Sequence, residues 1–218
     1  MDVISAFTLQ SRHRDGYKLG GGVSIDAALA GAALVEALVR DKARLDDEIV
    51  RVTDDTPTGD AVVDEAVRHL AGHDGSTVRD LVTSLARRLP DDIRDTLVDT
   101  GQVKKTWSRF MVLVPYRAVR PCDPSAWDAQ HDALAQILRG DSRADQRDAA
   151  VLLLLDLADV AERSFGDAVG GKEAVRRGLE AVEKQTATDW PRTIEAIDRI
   201  RAAHRWMRSS GDVAAAAG

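Results

Sequence analysis

Between Ala27 and Val39 the chain carries a single ionisable residue, Glu36, in a run otherwise made of Ala, Leu, Val and Gly. Ile25, Ala28, Leu29, Ala32, Val35 and Val39 recur at helical spacing, and Leu34 and Leu38 widen that stripe around the cylinder. A helix apolar on nearly every side has to be surrounded by other elements, and small side chains let neighbours approach closely. The run therefore predicts a central buried helix, capped by Ser24 after Gly20-Gly21-Gly22 and reaching about Arg40. It is not read as a membrane span, because it contains Glu36 and falls short of the roughly 20 apolar residues needed to cross a bilayer.

The remaining composition points the same way. A chain of 218 residues with 44% apolar content can bury a sizeable core. It has only four Trp, two Tyr and three Phe, so that core is built from Ala, Val, Leu and Ile, which suits helices better than strands. The lone Cys122 cannot form an internal disulfide, and no secretory leader is evident at the N-terminus. The expectation is a cytoplasmic protein, with any membrane contact peripheral and on the inner face, and with no cofactor or structural metal.

Turn and capping signals divide the chain further. Val3 to Leu19 reads as extended chain around a turn at Asp15-Gly16, and Arg44 to Thr53 as a short hairpin about Asp46-Asp47. Helices are predicted from Asp60 to Leu70, from Thr77 to about Arg88, and from Pro90 to Gly101. Val103 to Thr106 and Arg109 to Val114 read as two strands closed by a turn at Trp107-Ser108, followed by an irregular crossover from Pro115 to Pro124. Ser125 and Ser142 are expected to cap helices to about Arg139 and Arg163; two more run from Lys172 to Gln185 and from Pro191 to Met207. The fold class is thus mostly α, a single globular helical domain over residues 1–208 with short β-hairpins, followed by a disordered tail at 209–218.

Charge is unevenly spread. The net charge is −6, yet Thr100 to Cys122 holds Lys104, Lys105, Arg109, Arg117 and Arg120 with no acidic residue. Within this stretch Lys104, Lys105 and Arg109 accompany Trp107, Phe110, Met111 and Leu113, a pairing of cations with apolar anchors that suits a membrane surface or an oligomer contact. The plain alternative is a half-buried hairpin that completes the core. A second cluster, Arg87, Arg88 and Arg94, is suited to phosphate through two-pronged guanidinium hydrogen bonds, or else to ion pairs with Asp91, Asp92 and Asp95. Ser24, at the glycine-rich start of the central helix, is a further ligand candidate; the Gly-Lys-Ser/Thr of a P-loop is absent.

Several segments together resemble the Golgi phosphoprotein 3 family. They are Asp55-Thr56-Pro57-Thr58-Gly59-Asp60 followed by Ala61 to Val67, then Leu29 to Glu36, Leu97-Val98-Asp99-Thr100-Gly101, and Leu153 to Glu162. The resemblance implies a mainly helical fold, a phosphoinositide headgroup pocket lined by a Trp and several Arg, and an apolar β-hairpin that contacts other protomers or the membrane. Alignment through Gly31 puts Gly21 at the pocket Trp and Ala30 at the first Arg. Alignment through Gly101 puts Arg87 at the second Arg and Pro90 at the third, so Arg87 alone is retained, with Arg88 and Arg94 close by to replace lost charge.

The function expected from residues and resemblance together is non-enzymatic, peripheral binding of an anionic phospholipid or phosphoinositide headgroup such as phosphatidylinositol 4-phosphate. Arg87, Arg88, Arg94 and Ser24 would contact the headgroup, and the 102–114 hairpin would contact the membrane or a second copy of the chain. The alternative is a winged-helix nucleic-acid binder, with the helix after Pro90 in the groove; Asp91, Asp92, Asp95 and Asp99 on that helix argue against it. Glu65, His69 and His73 stand at successive i, i+4 positions, but Gly72 is expected to end the helix before His73 joins them, leaving no metal site.

Overall fold

Eight consecutive buried residues, Val3–Gln10, form the first helix, α1, where the sequence reading expects extended chain. The Asp2 carboxylate decides the matter by accepting a hydrogen bond from the Ser5 amide at 2.8 Å, which caps a segment whose Val3, Ile4 and Phe7 already follow helical spacing. The expected turn is retained beyond the helix: Arg12 and Lys18 bridge antiparallel around Asp15-Gly16, with Gly16 at φ +89°. The structure is a computed structural model that describes the backbone of residues 1–110 and 114–216 and the side chains of residues 1–106 and 118–210. Among these described residues there are ten helices and two antiparallel two-stranded sheets.

The central helix α2 spans Gly22–Val39 and packs against α1 and five later helices. Its length and composition would allow it to cross a membrane, but twelve of its residues, Glu36 included, are buried among its neighbours, so it serves as the core helix. Gly31 allows the closest approach, since a Cβ there would lie 2.8 Å from Ile200 Cγ2 and 3.2 Å from Leu154 Cδ2. Ser24 does not cap this helix. The cap is Gly21, and Ser24 sits one turn inside with its hydroxyl 3.0 Å from His204 Nε2.

A short hairpin follows, β1 (Ala43–Asp46) and β2 (Ile49–Val52), turning at Asp47 as expected. Helix α3 (Ala61–Ala71) is capped by Asp60 and ends at Gly72. The Thr56-Pro57-Thr58-Gly59 loop before it is tied down from both sides. Lys42 Nζ reaches Asp54 at 2.6 Å and the Thr56 carbonyl at 2.8 Å, while Asp64 accepts from the amide and hydroxyl of Thr58 and from the Gly59 amide. Helix α4 (Val78–Leu85), capped by Thr77, stops three residues before the expected end, and α5 (Leu89–Asp99) carries Pro90 in its first turn.

Strands β3 (Val103–Phe110) and β4 (Val114–Pro121) pair antiparallel. The expected turn at Trp107-Ser108 is instead continuous strand, with Trp107 opposite Arg117, and the expected crossover from Pro115 is the returning strand. Proline misleads here because a two-stranded ribbon has only edge strands, where a missing N–H is tolerated at Pro115 and Pro121. Met111 and Leu113 lie outside the described residues, as do the side chains of Trp107, Arg109 and Phe110.

The second half is helical. Helix α6 (Pro124–Arg139) is capped by Asp123 and α7 (Gln146–Leu157) by Asp145, in each case an aspartate in place of the expected serine. The single helix expected to reach Arg163 is two, because Asp159 adopts φ 58° between α7 and α8 (Ala161–Val169). Helices α9 (Lys172–Asp189) and α10 (Pro191–Ala216) complete the chain. Helix α10 continues past Ser209, where disorder is expected from sequence; residues 217–218 lie outside the described residues. One buried cluster draws on α1 through α10 and on Val103 and Val119 at the base of the β3–β4 hairpin.

Candidate anion-binding recess

The end of α1, the loop after it, the first turns of α2 and the α4–α5 junction enclose a recess of about 130 Å³. That is room for about four waters, the scale of one phosphate group. Phe7, Ile25 and Leu29 form its apolar wall, and Arg12, Lys18, Arg87 and Arg94 face it together with Asp26 and Asp91. Each cation arrives by a local rule. Arg12 follows the Ser11 C-cap of α1, Lys18 is paired opposite it across the Gly16 turn, Arg87 occupies the break between α4 and α5, and Arg94 lies one turn beyond Pro90.

The charges are only partly neutralised. Arg94 Nη2 lies 2.8 Å from Asp91 and its Nε 3.5 Å from Asp95, and Lys18 Nζ is 3.3 Å from Asp26. The two Arg94 pairs are ones that the plainer sequence reading expects. Arg87 has no ion-pair partner among the described residues, and Arg12 stands out more. Its Nε is buried without a hydrogen-bond partner among the described residues. Burial, and then the like charge of Arg94, push the Arg12 guanidinium below its usual pKa, with Asp26 acting weakly in the other direction. A buried donor left unsatisfied beside a second guanidinium is costly unless an anion completes it.

Of the four residues singled out from sequence, the recess brings together Arg87 and Arg94. Arg88 is exposed at the N-cap of α5 and does not line it. Ser24 faces a separate cleft with Gly20, Gly21, Gly22, Asp159, Arg163 and Arg208. Beneath that cleft His204 is held below its ordinary pKa by burial and by Arg208, with Asp159 opposing. Ala30 is wholly buried, so an arginine has no place there, whereas Pro90 does line the recess and Arg94 supplies the cation from the same helix. Sequence reasoning misses Arg12 and Lys18 because their segment reads as an extended hairpin. The signal that marks them is the local run of Arg12, Arg14 and Lys18 against one Asp15.

In the two largest of the clefts described, about 660 and 670 Å³, Arg199 and Arg44 already have carboxylate partners. Arg199 sits 3.2 Å from Glu48 and 3.4 Å from Glu195 in the first, and Arg44 sits 3.2 Å from Asp46 in the second. Chemistry therefore favours the smaller recess over size.

A basic apron adjoins the recess. Arg14, Lys104 and Arg120 line a shallow hollow where the Asp15-Gly16 turn meets the β3–β4 hairpin. Arg120 Nε donates to the Asp15 carbonyl at 3.0 Å, and a Cβ on Gly16 would lie 2.6 Å from the Val119 carbonyl. Lys105 is 2.9 Å from Asp95. The helix that a winged-helix reading would place in a DNA groove presents Asp91, Asp92 and Asp95, and its Arg94 is engaged by two of them.

The comparison with known families bears on the whole of this arrangement. The model of the family described as Golgi phosphoprotein 3 (GPP34) matches residues 9–208, from α1 through most of α10, and so takes in every residue of the recess except Phe7 and Thr8. By name it is not an enzyme family. The chain belongs to the Golgi phosphoprotein 3 (GPP34) family.

Proposed function

We propose that this recess binds the phosphate of an anionic phospholipid or phosphoinositide headgroup, and that the protein acts as a non-catalytic, peripheral membrane-binding protein. The observation that carries the proposal is Arg12, whose buried Nε lacks a partner while Arg94 crowds it and Arg87 stands beside it unpaired among the described residues. Guanidinium groups converging on a small recess match a phosphate through paired, charge-assisted hydrogen bonds. The basic apron and the 102–114 hairpin supply the steering. Lys104 and Lys105 are exposed, and each cation near an anionic surface contributes about 1 kcal/mol. The hairpin residues Trp107, Phe110, Met111 and Leu113 would then enter the headgroup region or meet a second copy of the chain.

Cosedimentation with phosphatidylcholine vesicles, with and without phosphatidylinositol 4-phosphate or phosphatidylglycerol, tests this reading. Binding should require the anionic lipid, weaken with salt, and fall at least tenfold in Arg87→Ala plus Arg94→Ala, since one hydrogen bond to a charged group is worth about 1.5–3 kcal/mol. Wild-type binding that ignores both lipid charge and the double substitution would remove the recess from the function. A gel shift with duplex DNA is expected to show no complex.

A further inference from the structure

On the opposite side of α5 from the recess, three metal-ligating groups meet. His69 Nε2 lies 3.2 Å from Glu65 Oε1 and 2.8 Å from Asp92 Oδ2, and the donor atoms of all three residues fall within 4.8 Å of one another. Glu65 and His69 share a face of α3 at i, i+4, and Asp92 comes from the first turn of α5. His73 is not part of the group: its Nε2 turns to the Ser84 hydroxyl at 2.7 Å. The third donor thus comes from a different helix, and no sequence spacing reveals it.

A ring nitrogen carries at most one proton, and that proton can be aimed at only one of two carboxylates. We infer that Glu65, His69 and Asp92 form a site for a single divalent cation of the zinc class, which joins α3 to α5. One imidazole and two carboxylates are a donor set for zinc, whereas magnesium and calcium prefer oxygen alone. Three protein ligands leave a fourth position for water, and the site opens on the Asp92 side, where that side chain is 46% exposed against 12% for His69.

The surroundings orient the ligands. Arg68 donates to both oxygens of Glu65. Carboxylate ligands of metals are ordinarily fixed by such outer hydrogen bonds, and each carboxylate oxygen keeps a lone pair for the metal. Arg68 Nη2 also stands 3.4 Å from His69 Nε2, but this side chain is 64% exposed, so Nη2 can turn outward when a dication takes that space while Nε keeps its bond to Glu65 Oε2.

The test uses the untagged full-length chain, stripped with a chelator and titrated with zinc chloride by calorimetry. Equimolar, saturable uptake is expected. His69→Ala and Asp92→Asn should each weaken it at least as much as the roughly 10- to 100-fold that loss of an outer-shell partner costs, while His73→Ala leaves it unchanged. Cobalt uptake should give the visible absorption bands of a low-coordinate site in wild type and not in Glu65→Gln. Metal-free circular dichroism checks that the variants are folded. Absence of saturable uptake by the wild type, or uptake that survives both His69→Ala and Asp92→Asn, would overturn the inference.

Discussion

Arg147 of α7 grips the wholly buried carboxylate of Glu36 on α2 with two nitrogens, Nε at 3.2 Å and Nη2 at 3.1 Å. Arg40 and the Val3 amide, the latter at 2.9 Å, bind the same carboxylate from α2 and α1. The one buried carboxylate of the most apolar helix is therefore the point at which three helices are joined. Removing one member of a buried ion pair typically costs about 3–5 kcal/mol. Glu36→Gln is expected near the lower figure, because Arg147 and Arg40 are partly exposed and can rehydrate. Arg147→Met should cost less, since Arg40 and Val3 remain. Urea unfolding of both variants checks the order, and the reverse order would refute this account.

Gly178 and Gly31 are both closely packed, but against different material. A Cβ on Gly178 would lie 2.3 Å from the Leu138 carbonyl oxygen of α6, which is backbone, while one on Gly31 meets side-chain methyls of Ile200 and Leu154. Overpacking typically costs about 1–3 kcal/mol when side chains can shift. Gly31→Ala is expected within that range and Gly178→Ala beyond it. Equal losses in thermal denaturation would show that α6 and α9 move apart easily.

The proposed function makes Arg12 a link between stability and binding. A buried, incompletely bonded charge replaced by an apolar side chain of similar length often leaves a protein equally stable or gains about 1–4 kcal/mol. Arg12→Met should raise the melting temperature while weakening binding to anionic vesicles. Inorganic phosphate should raise the melting temperature of the wild type more than that of Arg12→Met. A variant that is both less stable and fully competent to bind would contradict the assignment.

The Thr-Pro-Thr-Gly loop should fail in acid. Lys42, then Thr56, holds the Asp54 carboxyl below the usual carboxylate range; at Asp64 burial opposes ionisation, but Thr58 and Gly59 together outweigh it. Folded values below the unfolded ones mean that this stabilisation is complete above the ordinary carboxylate pKa of about 4 and is lost as pH falls through the folded values. Asp64→Asn should lower stability near neutrality by about 1.5–3 kcal/mol and flatten the decline below pH 4. Superimposable acid profiles for wild type and Asp64→Asn would dismiss the loop as their origin.

What the sequence discloses follows from the range of the interactions. The central helix, the Asp46-Asp47 hairpin and the helix after Asp60 are legible because periodicity and capping act within a few residues. Helix α1 is missed because it is only eight residues long and its polar Ser5, Thr8 and Gln10 are buried with its apolar ones, so its helical spacing is too short to stand out. The break at Asp159 is missed because Val151 to Leu155 makes the pattern look unbroken. Arg87 and Arg94 are found through local charge density. Arg12 and Lys18 join them only through folding, as Asp92 joins Glu65 and His69. The Thr56-Pro57-Thr58-Gly59 loop is recognisable as a string of letters, but that it hangs on Lys42 and Asp64 emerges only in three dimensions.

Residues 12–18 serve as recess wall on one side and as brace for the β3–β4 ribbon on the other, through the Gly16–Val119 contact and the Arg120–Asp15 hydrogen bond. The base of the ribbon and the strip of backbone that sets the Arg12 guanidinium are consequently buttressed by one another, so that neither can be displaced without straining the other.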